Sequence, residues 1–156
     1  MRYTVRRSAL LLAAAAFGFA PAPVYKENAR DPDAVLKRLQ GTWAMPQYES
    51  GRRTLISPGE AYTVKIEKDQ WTFWRSQNGG PLTKSSTYTL KLDPKATPTE
   101  IDFIQSRTYT LLGSYDLKGD TLKIVFRVNN GLKKERARNL ASPGPGDYLL
   151  RLERKP

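Results

Sequence analysis

An all-β chain of eight antiparallel strands, closed up-and-down into a barrel behind one short helix, is what this sequence of 156 residues predicts. Three observations carry the prediction. From Gly41 onward apolar and polar residues alternate with a period of two, the spacing of strands with one buried face. Turn-forming stretches, "SPGE", "KDQ", "NGGP", "DPKATP", "LKGD" and "SPGPGD", interrupt that alternation at short intervals. Short links favour a meander in which successive strands pair, and closing eight of them into a barrel leaves no exposed edge.

Taken in order, the chain begins with the make-up of an export signal. Arg2, Arg6 and Arg7 precede the apolar run from Ala9 to Ala20, which is short for a transmembrane helix. Ala20-Pro21-Ala22 offers a small-residue cleavage box, so residues 1–22 read as a signal peptide with its cut between residues 18 and 26. Arg6-Arg7 before Ser8-Ala9-Leu10 suits twin-arginine export as well as the general secretory route. The expected destination is exported, periplasmic or extracellular. Residues 23–30 read as a linker and residues 31–156 as a single barrel domain.

The helix is signalled by "DPDAVLKRLQG". Asp31 can cap it, Pro32 suits its first position, and Gly41 falls just past its end. Val35, Leu36 and Leu39 form an apolar side that must dock on the strands, since so short a helix is not stable alone. Strands are expected over residues 42–49, 61–67, 71–76, 85–92, 100–106, 109–117, 121–128 and 147–154. Tyr62, Val64 and Ile66 alternate with Thr63, Lys65 and Glu67, and "LLGSYDLKGDTLKIVF" reads as a hairpin around Lys118-Gly119-Asp120.

In an even-stranded meander barrel the first strand starts, and the last strand ends, at the same rim. Trp43 opens the first strand and Arg154 closes the last, so the guanidinium is expected over the indole, a contact worth about 0.5 to 2 kcal/mol. Gly41 lets the helix turn across that end. Gly41, Trp43 and Arg154 would form a structural plug.

Composition removes several chemistries. There is no cysteine and no histidine, so disulfides, thiol nucleophiles and the usual triads and zinc sites are excluded. Glu100 and Asp102 alternate onto the face opposite Ile101 and Phe103 and are expected to point to solvent, without the buried cleft a glycosidase pair needs. Asp116 and Asp120 flank a tight turn, and no calcium-loop or phosphate-loop spacing occurs. The expectation is a monomer that is not an enzyme, with no cofactor and no metal.

The stretches "LQGTW" (39–43), "LDPKATPTEIDF" (92–103), "LLGSYDLKGDTLKIVF" (111–126), "ERARNLASPGPG" (135–146) and "LLRLER" (149–154) span nearly all of residues 39–154. The helix, Gly-x-Trp and late basic residue resemble the lipocalin pattern. The set as a whole resembles a small lipocalin-like domain of unknown function that recurs in exported proteins of planctomycetes. Members usually have Pro after the Arg at 136 and an aromatic at about 140, where this chain has Ala137 and Leu140, a departure that bears on the seventh connection. The resemblance implies a lipocalin-like barrel and export, and it carries no activity or catalytic residue.

Two functional readings remain. In the first, a small apolar or amphipathic molecule binds inside the barrel against Tyr62, Ile66, Trp71, Phe73, Phe103, Tyr115 and Phe126. A barrel of this size is either just filled by side chains or holds one small ligand, and composition leaves both open. In the second, a basic outer surface with Trp74, Arg52, Arg53, Lys133, Lys134 and Arg136 binds an anionic envelope polymer or saccharide. Its basis is the net charge of +11, which falls to +8 without the three arginines of residues 1–22. Nucleic acid is disfavoured by the export signal and by eight strands where an oligonucleotide-binding barrel has five.

Overall fold

The computed structural model describes residues 30–51, 53–130 and 135–156. The expected signal peptide, residues 23–29 of the linker, Arg52, Lys133 and Lys134 lie outside these described residues.

Helix α1 (Pro32–Leu39) starts as its sequence dictates: the Asp31 carboxylate accepts from the backbone N–H of Asp33 at 3.3 Å, and Pro32 sits in the first turn. Val35 and Leu39 are its buried face. Gln40 ends the helix, and Gly41, at φ +114, turns the chain directly into β1 (Gly41–Ser50). That backbone conformation is one that residues with a Cβ rarely adopt.

The two-residue β2 (Arg53–Thr54) folds back on the end of β1. Then come β3 (Glu60–Glu67), β4 (Gln70–Gln77), β5 (Thr83–Asp93), β6 (Glu100–Ile104), β7 (Tyr109–Lys118), β8 (Thr121–Asn130) and β9 (Asp147–Arg154). Every neighbouring pair is antiparallel, and β1 pairs with both β3 and β9, so eight strands close into a barrel and β2 is an addition at one rim. All eight expected strands are present, most of them displaced by a residue or two at an end, where pairing frays. Pro46, with no N–H to give to the ladder, sits in the register shift of β1 between Ala44 and Gln47.

The meander assigns each connection to one of two rims. At the closed rim lie α1 and the turns before β4, β6 and β8. At the open rim lie the connections that lead into β3, β5, β7 and β9. The core runs from Leu39 and Trp43 at the closed rim, through Ile66, Trp71 and Phe103, to Tyr88 and Leu111 near the open one. Gly113 in β7 has to be glycine, because a Cβ there would run into the Val125 carbonyl and into Phe126 of the neighbouring strand.

The connection from β8 to β9 corrects one expectation. Residues 135–143 lie back over the outside of the barrel, and Ser114, Val125, Ala137 and Leu149 are buried beneath or within them. Asn129 holds the start of this strap through Glu135 N–H at 2.7 Å and Glu135 C=O at 3.0 Å, and the Ser114 hydroxyl donates to the Ala137 carbonyl at 3.0 Å. Glu100 and Asp102 do not face open solvent. Arg136 reaches Glu100 at 3.1 Å, Asp102 at 2.6 Å and the Gly113 carbonyl at 2.7 Å, and its side chain is only 16 % exposed. Alternation put the carboxylates on the outer face correctly, but a distant connection covers that face.

Candidate functional site

Both barrel ends are candidates, and they differ in construction. At the closed end the Arg154 guanidinium lies 4.2 Å from the centre of the Trp43 ring. It donates to the carbonyls of Gln40 and Arg38 at 2.6 and 2.5 Å and to the Asp120 carboxylate at 2.9 Å. Trp43 is fully buried, and its indole N–H donates to the Leu39 carbonyl at 2.9 Å. With these donors matched, the plug has nothing to offer a ligand.

The open end holds a cavity of about 210 Å³. Its wall is made by inward residues at the upper ends of the strands: Met45 and Tyr48 from β1, Tyr62 from β3, Phe73 from β4, Ser86 and Tyr88 from β5, Tyr109 and Leu111 from β7, Phe126 and Val128 from β8, and Tyr148 from β9. Five of the six tyrosines in residues 30–156 therefore meet in one place. Phe126 stacks on Tyr148 at 5.2 Å between centroids, Tyr48 meets the edge of Tyr62 at 6.3 Å, and Phe73 meets Tyr88 edge-on at 6.0 Å. Such edge-to-face and offset arrangements follow from the ring quadrupole and hold the wall without a polar scaffold.

Burial, reinforced by Tyr148, Tyr88, Tyr62 and Tyr109, pushes Tyr48 up to about 12, and burial also raises Tyr109 and Tyr62. The Tyr62 hydroxyl donates to Glu60 at 3.2 Å, and Arg75 clasps the same carboxylate and holds it below the usual carboxylate range. Tyr48, Tyr88, Tyr109 and Tyr148 make no hydrogen bond through their hydroxyls to other described residues, which leaves those groups able to donate or accept.

Of the interior residues expected from sequence, Tyr62, Phe73 and Phe126 line the cavity. Ile66, Trp71, Phe103 and Tyr115 do not. Each is at most 4 % exposed and fills the barrel below the cavity, with Trp71 packed edge-on against Phe103 at 5.0 Å. The barrel is thus packed in its lower part and open at the top, an outcome between the two alternatives. Sequence reasoning misses Tyr48, Tyr88, Tyr109 and Tyr148 as pocket residues, although each stands at an inward position near the open end of its strand. Their spacing carries no motif; only the closed topology gathers them.

Of the expected basic outer surface, Trp74, Arg53 and Arg136 are among the described residues. Trp74 is half-buried on the outer face of β4, Arg75 is on the opposite face with Glu60, and Arg53 is exposed at the open rim. Arg136 is withdrawn into its carboxylate clasp. Among the described residues no cluster of three or more acidic side chains is placed to hold a metal ion, and no helix is long and apolar enough to cross a membrane.

The fold and the cavity together define a closed eight-stranded antiparallel barrel, plugged at one end and open at the other onto a tyrosine-rich pocket. No family model, no curated protein and no solved structure matches the chain.

Proposed function

We propose that the protein is an exported, non-enzymatic, lipocalin-like carrier or sensor that takes a small amphipathic molecule into the open end of its barrel. The single observation that supports this reading is the convergence of five tyrosines and two phenylalanines on one pocket, with four of the phenol hydroxyls making no hydrogen bond to other described residues. Ring faces supply apolar contact, and the hydroxyls supply the few oriented polar contacts that a ligand pocket needs. The volume of about 210 Å³ corresponds to roughly seven waters at ~30 Å³ each. The occupant is therefore a single substituted ring, or one end of a longer amphiphile whose remainder leaves through the mouth. Its polar groups are uncharged or weakly charged, because the pocket wall itself carries no ionised side chain.

Native mass spectrometry of the protein isolated from its own source, with Phe126→Ala and Tyr148→Ala beside it, tests the reading. A co-purifying mass of single-ring to amphiphile size, lost in both variants while the fold persists, is expected. A protein that travels empty and fails to enhance an environment-sensitive amphiphilic dye would remove the carrier reading.

A further inference from the structure

The barrel wall is not of even height. Strand β6 ends at Ile104, opposite Thr89 of β5, and the chain then turns through residues 105–108 into β7. Residues 83–88 of β5 continue past that point, paired with β4 on one side and with no strand among the described residues on the other. Six residues unpaired on that side leave about 20 Å of open β5 edge at ~3.3 Å each, rising above the end of β6 and the start of β7 at Tyr109. Ser85, Ser86 and Tyr88 on one flank of this notch, and Tyr109 on the other, are also cavity-lining residues. The notch therefore leads sideways into the tyrosine pocket.

Apolar and basic side chains surround the notch. Leu82, 48 % exposed, sits in the turn at the top of its β5 flank, and Ile104, 36 % exposed, sits at its foot; they are the two exposed large apolar side chains among the described residues. Residues 72–88 and 104–111, which surround the notch, contain no aspartate or glutamate and include Arg75, Lys84 and Arg107. Lys84 and Arg107 are exposed and outside any ion pair among the described residues, while Arg75 is held by Glu60. The carboxylates of β6, Glu100 and Asp102, are occupied by Arg136. Trp74 stands half-buried on the outer face beside Lys84, its partner across the β4–β5 ladder. Among the described residues the carboxylates outside any ion pair are Asp31, Asp33, Asp69 and Asp93 toward the closed end and Glu49 toward the open end of β1.

We propose that this notched face docks on an anionic lipid bilayer. Lys84 and Arg107 meet the headgroup charge, each basic residue strengthening binding about fivefold at ordinary surface potentials. Leu82 and Ile104 enter the interfacial layer, with Trp74 at headgroup depth, where indoles are favoured. The free backbone groups of residues 83–88 restrict the contact to the interface, since they would lack partners in hydrocarbon. The closed end points away from the membrane. The docking holds whether or not the interior carries a ligand; with a ligand, the notch becomes the side door through which an amphiphile passes between bilayer and pocket.

Vesicles of phosphatidylcholine alone and of phosphatidylcholine with phosphatidylglycerol test this in the ligand-free protein, by co-sedimentation and by tryptophan emission. Trp43 and Trp71 are fully buried, so Trp74 reports the contact. Binding to the anionic vesicles only, with a blue shift and a decline at high salt, is expected. Leu82→Ser with Ile104→Ser should weaken it about tenfold from the lost apolar contact, and Lys84→Glu with Arg107→Glu should abolish it. A closed-end control, Lys37→Glu with Lys95→Glu, should bind as the unaltered protein does. Absence of binding to anionic vesicles, equal binding to neutral ones, or equal loss in the closed-end control would overturn the proposal. So would binding to dextran sulfate that matches vesicle binding and ignores the Leu82 and Ile104 changes, which would mark a polymer-binding surface.

Discussion

The two ends of this barrel are made from the same eight strands and end in opposite chemistry. At the closed end a helix adjacent in sequence lies across the rim, and Arg154 ties it down through two carbonyls, one carboxylate and one indole face. At the open end no described element crosses, so five tyrosine rings share a pocket and four of their hydroxyls go unmatched within the described protein. The same kind of residue, an inward aromatic near a strand end, is structural where its polar group finds a backbone partner and available where it does not. Trp43 and Tyr148 are the clearest pair. One donates to the Leu39 carbonyl in complete burial, and the other stacks on Phe126 with its hydroxyl uncommitted.

The contrast breaks most visibly at Trp43. Trp43→Ala should cost about 3 to 5 kcal/mol, because it empties a buried aromatic site that the helix covers. Arg154→Ala should cost less, and the double variant should fall clearly short of the sum, since the groups touch. Urea unfolding of the four proteins checks this; additive losses would mean that the plug is not a unit.

The outer wall provides an intermediate case. Arg136→Ala is expected to cost about 2 kcal/mol, as hydrogen bonds to charged groups are lost and Glu100 and Asp102 are left facing each other beneath the strap. Arg136→Glu should cost more. A Tm unchanged by Arg136→Glu would show that the strap is not held by this clasp. Reversal of exposed Arg53, by contrast, should leave Tm nearly unchanged.

Alkaline titration sharpens the comparison further. Tyr48 and Tyr115 both stand at about 12, raised chiefly by burial from an ordinary value of 10.0. A phenol that holds its proton more tightly in the folded state contributes stability that is complete below pH 10 and is lost as pH rises through 12. Denaturant midpoints should be flat to about pH 9.5 and fall above it, and Tyr48→Phe should remove part of the fall. A midpoint independent of pH up to 12 would contradict the burial of these rings. The smallest effect belongs to Tyr109→Phe. It should change stability by under about 0.5 kcal/mol, because no protein hydrogen bond is lost, while weakening retention of the amphiphilic dye. A larger loss of stability would place Tyr109 among the structural aromatics.

Much of this architecture is written in local sequence. Asp31, Pro32 and Gly41 mark the helix because capping, a fixed φ and a positive φ act within a few residues. The alternation of Tyr62, Val64 and Ile66 marks a strand because successive side chains take opposite faces. Even the contact of Arg154 with Trp43 follows from counting strands, since an even number returns the chain to its starting rim. What the tertiary structure alone decided is which of the inward aromatics would be floor and which would be pocket, and which of the outward charges would be free. Trp71 and Tyr148 both alternate inward, and only the heights at which their strands meet bury the first and leave the second at the mouth; Tyr48 faces inward only through the register shift between Ala44 and Gln47. Glu100, Asp102 and Arg136 read as surface charges because the connection that unites them comes from two strands further along the chain than the strand it covers. Burial and pairing are properties of what arrives from elsewhere, and a periodicity of two reports the face a residue takes without reporting what covers it.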